Sequence, residues 1–206
     1  MDEFLFIKGE EHSKSKKKNQ IREIDNFLPD DMRQICYKAL SRPNWSFDGG
    51  GSHSRFWHMN DLQEDWFFSK SMFKYVKYAL GGYSIPGGDQ QEPITVQRIY
   101  ANGQTACQSG VVHRDDDNPN AWTLIYYSTP NWEPEYAGNT QFFSNDKTNI
   151  IRTVQYVSNR AVVFPSTLQH MSEAPARQYH GLRTTIAYKL LLPSDNTTTL
   201  EESKTI

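Results

Sequence analysis

The sequence has only two cysteines, Cys36 and Cys107, in 206 residues. Neither lies in a Cys-x-x-Cys or Cys/His cluster, which excludes a disulfide framework and a cysteine-built zinc site. A dominant charge is also missing: 22 Lys and Arg stand against 24 Asp and Glu, a formal net charge of -2. No global field draws such a chain onto nucleic acid or an anionic membrane, so neither is expected as a partner. No stretch approaches the roughly 18 apolar residues of a membrane span, and the apolar patch within Met1–Lys8 is too short for a signal peptide. The expected location is the cytoplasm. No internal repeat is present, and the length suits one domain with a substantial core.

Residues 1–20, with Glu10-Glu11 and Lys14-Ser15-Lys16-Lys17-Lys18, are polar and aperiodic, and read as a flexible N-terminal arm. The domain is expected over 21–193, with 194–206 as a polar tail. Ile24-Asp25-Asn26-Phe27-Leu28 reads as a short strand. Pro29-Asp30-Asp31 then opens a helix to about Leu40, with proline and two acids as start signals. A second helix is expected after Asp61, because Leu62, Trp66, Phe73, Val76 and Leu80 recur at helical spacing until Gly81-Gly82. Between the helices, residues 42–60 contain Gly49-Gly50-Gly51-Ser52, with His53 and His58, and read as a surface loop or lid.

Beyond Pro93 the character changes to short segments rich in Val, Ile, Thr, Tyr and Phe. Strands are expected over Thr95–Ala101, Val111–His113, Trp122–Tyr127, Thr140–Phe143, Asn149–Tyr156, Arg160–Phe164 and Arg183–Leu192. Two helices before seven short strands predict a mainly β domain of two packed sheets, a jelly-roll core with helices on one outer face. In Trp122–Tyr127 both alternating faces are apolar or aromatic, so this strand is expected to be covered on both sides.

Of the six histidines, only His113 has a carboxylate two positions on, in His113-Arg114-Asp115. At a strand end, residues i and i+2 point to the same side and could reach one ion. Alone the triplet is a weak signal. It gains weight from His170, which follows the strand end Val162-Val163-Phe164-Pro165. Two histidines and a carboxylate make the facial set that suits Fe(II) and leaves positions open for oxygen chemistry. Arg183, opening the last strand, offers the planar two-donor fork that a keto acid's far carboxylate needs, and Thr185 lies two residues on, on the same face. His180 rivals His170, but it is too near Arg183 to separate the metal from the far end of a cofactor.

These residues carry a resemblance. His113-Arg114-Asp115, Leu124-Ile125-Tyr126-Tyr127 with Asn131-Trp132, Ala137-Gly138-Asn139-Thr140, Phe164-Pro165 leading to His170, and Arg183-Thr184-Thr185-Ile186 resemble the prolyl 4-hydroxylase branch of the Fe(II)/2-oxoglutarate-dependent oxygenases. That branch includes hypoxia-factor prolyl hydroxylases and phage-encoded relatives. The opening Ile24-Asp25-Asn26-Phe27-Leu28-Pro29 is similar too. The resemblance implies a double-stranded β-helix fold, Fe(II) on His113, Asp115 and His170, and 2-oxoglutarate held by Arg183 and contacted by Tyr127 and Tyr100. It implies O2 as co-substrate, admits ascorbate, and points to a prolyl residue of a peptide or protein as substrate. For a phage-encoded protein the location would be the host cytoplasm. Two alternatives stand beside it: a related oxygenase acting on a nucleobase, lipid or free amino acid, and a β-domain that only binds a metal or ligand. The substrate loops would be 42–60 and 102–110, since function on a shared fold resides in such segments.

Overall fold

The computed structural model describes residues 21–49, 55–80 and 94–193. The expected arm over 1–20 and tail over 194–206 lie outside the described residues. The first helix forms where expected: α1 spans Asp30–Leu40, with Pro29 in extended backbone at its N-cap and Asp30 and Asp31 in the first turn. Its inward face is Cys36, Ala39 and Leu40.

The second helical segment departs from the expectation. Instead of one helix after Asp61 there is a 3-10 turn at Leu62–Glu64, a π-helical stretch at Phe67–Met72 and then α2, Phe73–Leu80. Asp65 is extended, which ends the first turn. Its carboxylate then accepts the Phe67 N–H at 2.8 Å and helps start the next. The wide π turn shifts the buried face: Phe68 and Met72 are enclosed, whereas Trp66, expected in the core stripe, is 70% exposed.

Among the described residues ten strands form rather than seven. β1 (Arg22–Ile24), β2 (Ser46–Gly49), β3 (Arg55–Met59), β4 (Thr95–Gln104), β5 (Ala121–Tyr127), β8 (Ala161–Pro165) and β10 (Arg183–Leu191) build one antiparallel sheet in the order β1-β8-β5-β10-β4-β3-β2. β6 (Thr140–Phe143), β7 (Ile150–Val154) and β9 (His170–Ser172) build the second, in the order β7-β6-β9. This is a jelly-roll core, mainly β, with the helices to one side. The reading of 42–60 as a loop or lid is corrected: β2 and β3 form a hairpin on the sheet edge, with His58 opposite Asn102 of β4. Phe56, Trp57 and Met59 supply the strand propensity there, despite the flanking glycines. The expected strand Val111–His113 reduces to one bridge, His113 to His170. The expected strand over Ile24–Leu28 stops at Ile24 because Asn26 has φ of 52°, and the Asn159 side chain bonds both Leu28 N and Leu28 O at 2.9 Å.

The large sheet has two unlike faces. Trp122, Leu124 and Tyr126 of β5, Ile186, Tyr188 and Leu190 of β10, Ile99 and Ala101 of β4 and Val163 of β8 pack outward with Leu40, Phe68, Met72, Val76 and Leu80. Alternation then turns Arg183, Thr185, Ala187 and Lys189 of β10 toward the space between the sheets. Cross-strand register puts Thr185 opposite Tyr127 and Asn102, and Lys189 opposite Thr123 and Arg98. β5 is buried on both faces, as its sequence predicts.

Candidate metal and cofactor site

His113 is joined to His170 of β9 by reciprocal backbone hydrogen bonds, His113 N to His170 O at 3.0 Å and His170 N to His113 O at 2.8 Å. Residues directly opposite in such a pair share a face. Their rings accordingly lie 4.5 Å apart between centroids. The Asp115 N–H donates to Ser166 O at 2.9 Å, which returns the Asp115 side chain to the same point. The Asp115 oxygens lie 3.4 Å from His113 Nε2 and 3.5 Å from His170 Nε2. One ligand atom from each of the three residues falls within 4.8 Å of the others, and this is the sole such group of three metal-ligating side chains among the described residues.

Nδ1 of His113 lies 2.9 Å from Val111 O, and Nδ1 of His170 lies 2.9 Å from Leu168 O. A carbonyl only accepts, so each Nδ1 carries the proton in these bonds and each neutral ring turns its Nε2 lone pair inward. Such outer partners are the ones that fix the tautomer of metal-binding histidines. The donor set therefore fits a divalent metal. Electrostatics agree: burial drives His170 down to about 4. For Asp115, burial works to raise the carboxyl, but Lys189 and His113 outweigh it and hold the group well below the usual carboxylate range. The hydrogen bond to Asp115 raises His113, against its burial.

Arg183 lies deeper in the same interior, 1% exposed. Nε donates to Gly138 O at 2.7 Å and Nη1 to Gln104 Oε1 at 2.6 Å, while the guanidinium lies 4.8 Å from the Tyr156 ring centroid. No carboxylate forms an ion pair with it among the described residues. Burial lowers its pKa, the expected cost of enclosing a cation with only neutral acceptors. Such a guanidinium is able to receive an anion.

Tyr127 is fully buried and stacks on Tyr156 at 4.4 Å, with Arg183 6.0 Å from its ring. Its hydroxyl donates to Thr140 Oγ1 at 2.7 Å. Burial pushes its pKa up to about 12, which keeps the phenol protonated. Thr185 is buried two residues from Arg183 on the inward face. Tyr100 stands opposite Ala187, with its ring 4.5 Å from the Arg98 guanidinium and 5.8 Å from Lys189 Nζ. His180 is exposed in the loop before β10, away from the cluster.

Sequence reasoning missed Lys189, Thr123, Ser166 and Gln104. Lys189 had a visible signal, as a single charge within the apolar run Ile186–Leu191 at even spacing from Arg183. Gln104 had none, because it meets Arg183 only through the β4–β10 register.

No protein-family model and no curated relative matches the chain. Solved structures do. A prolyl hydroxylase from Trichoplax adhaerens, in complex with a hypoxia inducible factor oxygen degradation domain peptide fragment, is 14% identical with a TM-score of 0.62, covering 88% of each chain. A Pseudomonas putida prolyl-4-hydroxylase is 15% identical with a TM-score of 0.60, covering 87% of this chain and 96% of that one. HygX from Streptomyces hygroscopicus, with nickel, 2-oxoglutarate and hygromycin B bound, is 10% identical with a TM-score of 0.64, covering 85% and 84%. The chain has the jelly-roll fold of the 2-oxoglutarate oxygenases, prolyl hydroxylases among them.

Proposed function

We propose that the protein is an Fe(II)- and 2-oxoglutarate-dependent oxygenase, with His113, Asp115 and His170 as the iron ligands and Arg183 as the partner of the C5 carboxylate. The observation that carries this reading is the joint occurrence, in one interior, of a two-histidine, one-carboxylate cluster and a buried arginine without a carboxylate partner among the described residues. The first suits Fe(II) with positions left open, and the second suits a dicarboxylate reaching deeper than the metal.

When bound, iron, 2-oxoglutarate and O2 supply the oxidising power, coupling decarboxylation to succinate and CO2 with oxygen insertion into an unactivated C–H bond. The chain contributes position and exclusion of water. Arg183 would hold the far carboxylate through its remaining N–H donors, Thr185 would offer a hydroxyl beside it, and Tyr127 walls the pocket while keeping its proton. Tyr100, beside Lys189, would contact 2-oxoglutarate.

The finer reading is that the substrate is a prolyl residue of a peptide or protein, supported by the resemblance of the motifs and by the two prolyl hydroxylases among the similar structures. HygX, which holds hygromycin B, favours a small-molecule substrate as the second reading. The test is succinate release from 2-oxoglutarate with Fe(II), run with proline-rich peptides and with small-molecule panels and read by mass spectrometry for a gain of one oxygen. Succinate release dependent on Fe(II) and lost in Asp115→Ala supports the oxygenase reading. A folded protein that binds neither Fe(II) nor 2-oxoglutarate overturns it.

A further inference from the structure

β10 carries a second inward cation besides Arg183. The Lys189 ammonium forms an ion pair with Asp115 Oδ2, in a position where the Lys189 side chain is 16% exposed and that of Asp115 6%. Thr123 Oγ1 donates to the same oxygen at 2.7 Å. Thr123 has one proton and spends it there, so Ser166 Oγ, 2.9 Å away, must be the donor in the Ser166–Thr123 contact. The backbone N–H of Asp115 is tied to the carbonyl of that same Ser166. Oδ2 is thus held from two sides by groups belonging to β5 and β10. Oδ1 lies 3.4 Å from His113 Nε2, while Oδ2 lies 3.5 Å from His170 Nε2, so Lys189 engages an oxygen that also faces the cluster.

We propose that Lys189 is a positioning residue of the metal site: its ammonium engages Oδ2 of Asp115 in competition with a metal, so that Oδ1 is the freer donor and positions stay open for 2-oxoglutarate. The proposal rests on the oxygenase reading above. Two physical consequences follow. A unit positive charge beside a ligand oxygen, in an interior of low effective dielectric, opposes a divalent cation and favours a dianion. A carboxylate released from Oδ2 can also turn both oxygens to a metal, as carboxylates do when nothing holds one of them. Loss of Lys189 therefore tightens metal binding and weakens 2-oxoglutarate binding. A residue needed only for packing would weaken both.

The experiment compares wild type with Lys189→Met and Lys189→Gln. Mn(II) affinity is measured by calorimetry, and 2-oxoglutarate affinity by charge-transfer absorbance of the anaerobic Fe(II) protein. In Lys189→Met the Mn(II) Kd is expected to fall by about tenfold and the 2-oxoglutarate Kd to rise by about tenfold. Lys189→Gln keeps a donor to Asp115 without the charge, so it should show the metal tightening with a smaller loss of 2-oxoglutarate. Metal affinity that is unchanged or weaker in either folded variant overturns the proposal. Failure of both variants to fold overturns it as well, since Lys189 would then belong to the fold. The wild-type titrations judge the underlying reading separately: binding of both ligands by wild type, with variants that match it, sinks the role of Lys189 alone.

Discussion

Gly138 and Arg183 are in contact through the glycine's missing side chain. A β-carbon at 138 would lie 2.9 Å from Arg183 Cδ and 2.9 Å from Nε, the φ of Gly138 is +72°, and its carbonyl accepts the Nε proton. Gly138→Ala is therefore expected to push the guanidinium out of line and to strain the backbone by about 1 to 2 kcal/mol. The apparent Kd for 2-oxoglutarate should rise at least tenfold while Fe(II) affinity is kept. Unchanged 2-oxoglutarate binding would show that the pocket adapts to the extra methyl.

Ala137 stands beside it in a conformation suited to glycine, with φ of 53° and ψ of -128°. Non-glycine residues in that region store about 1 to 3 kcal/mol. The gain from Ala137→Gly is reduced by the greater freedom of glycine in the unfolded chain, roughly 0.5 to 1 kcal/mol. The net expectation is a more stable protein by about 1 kcal/mol in urea denaturation, with cofactor binding unchanged. A less stable variant would mean that the strain is not present in solution.

Arg183→Lys keeps a charge but loses the fork and part of its reach, leaving Gly138 O or Gln104 Oε1 without its donor. For one charge-assisted hydrogen bond the loss is about 1.5 to 3 kcal/mol, or roughly one to two decades in 2-oxoglutarate affinity. Fe(II) binding should barely change. Equal 2-oxoglutarate affinity in the two proteins, by charge-transfer titration, would remove Arg183 from the cofactor site.

His170→Ala should eliminate Fe(II) binding, whereas His180→Ala should leave it near the wild-type value, because one ring is buried in the cluster and the other is exposed in a loop. Calorimetric titration with Mn(II) ranks the two directly. The reverse ranking would put the second histidine ligand at 180.

Acidification gives a further handle on His170. Its folded pKa is about 4 against an ordinary 6.5, so between those values the unfolded chain binds the extra proton and the folded protein does not. Metal-free protein should thus lose stability as pH falls from about 6.5 to 4, by at most about 3 kcal/mol from this group. His113, raised by Asp115, acts in the opposite sense but above about 6.5, where the folded protein takes up its proton first, so its contribution is already complete in this window. Urea midpoints of wild type and His170→Gln in the presence of a chelator isolate the term. The wild type should lose ground to the variant across that window, and parallel curves would refute the shift.

The legible parts of this molecule are those governed by local rules. The two covered faces of β5, the start of α1 at Pro29-Asp30-Asp31, and the joint presence of His113, Asp115 and His170 depend on period-two alternation, capping chemistry and spacing. The pairing of β2 with β3 was obscured by Gly49-Gly50-Gly51-Ser52, since a glycine-rich sequence signals a loop while Gly49 itself pairs with Arg55. The π-helical turn at Phe67–Met72 is set by packing against the sheet and leaves no mark in spacing. Lys189 and Gln104 act through strand register, a long-range property that determines who faces whom only after the sheet has formed.

β10 joins two separate demands in one nine-residue strand. Its odd-numbered positions from Arg183 to Lys189 serve the interior, and its even-numbered positions from Ile186 to Leu190 serve the helix-covered side. The strand thus has a parity, and parity survives substitution but not a change of length. One residue gained or lost within it would exchange the two sets beyond that point, sending Lys189 under the helices and Tyr188 toward the His/Asp cluster. Drift in this protein is therefore confined to side-chain replacement along β10, while insertions must fall in the connections that carry no such count.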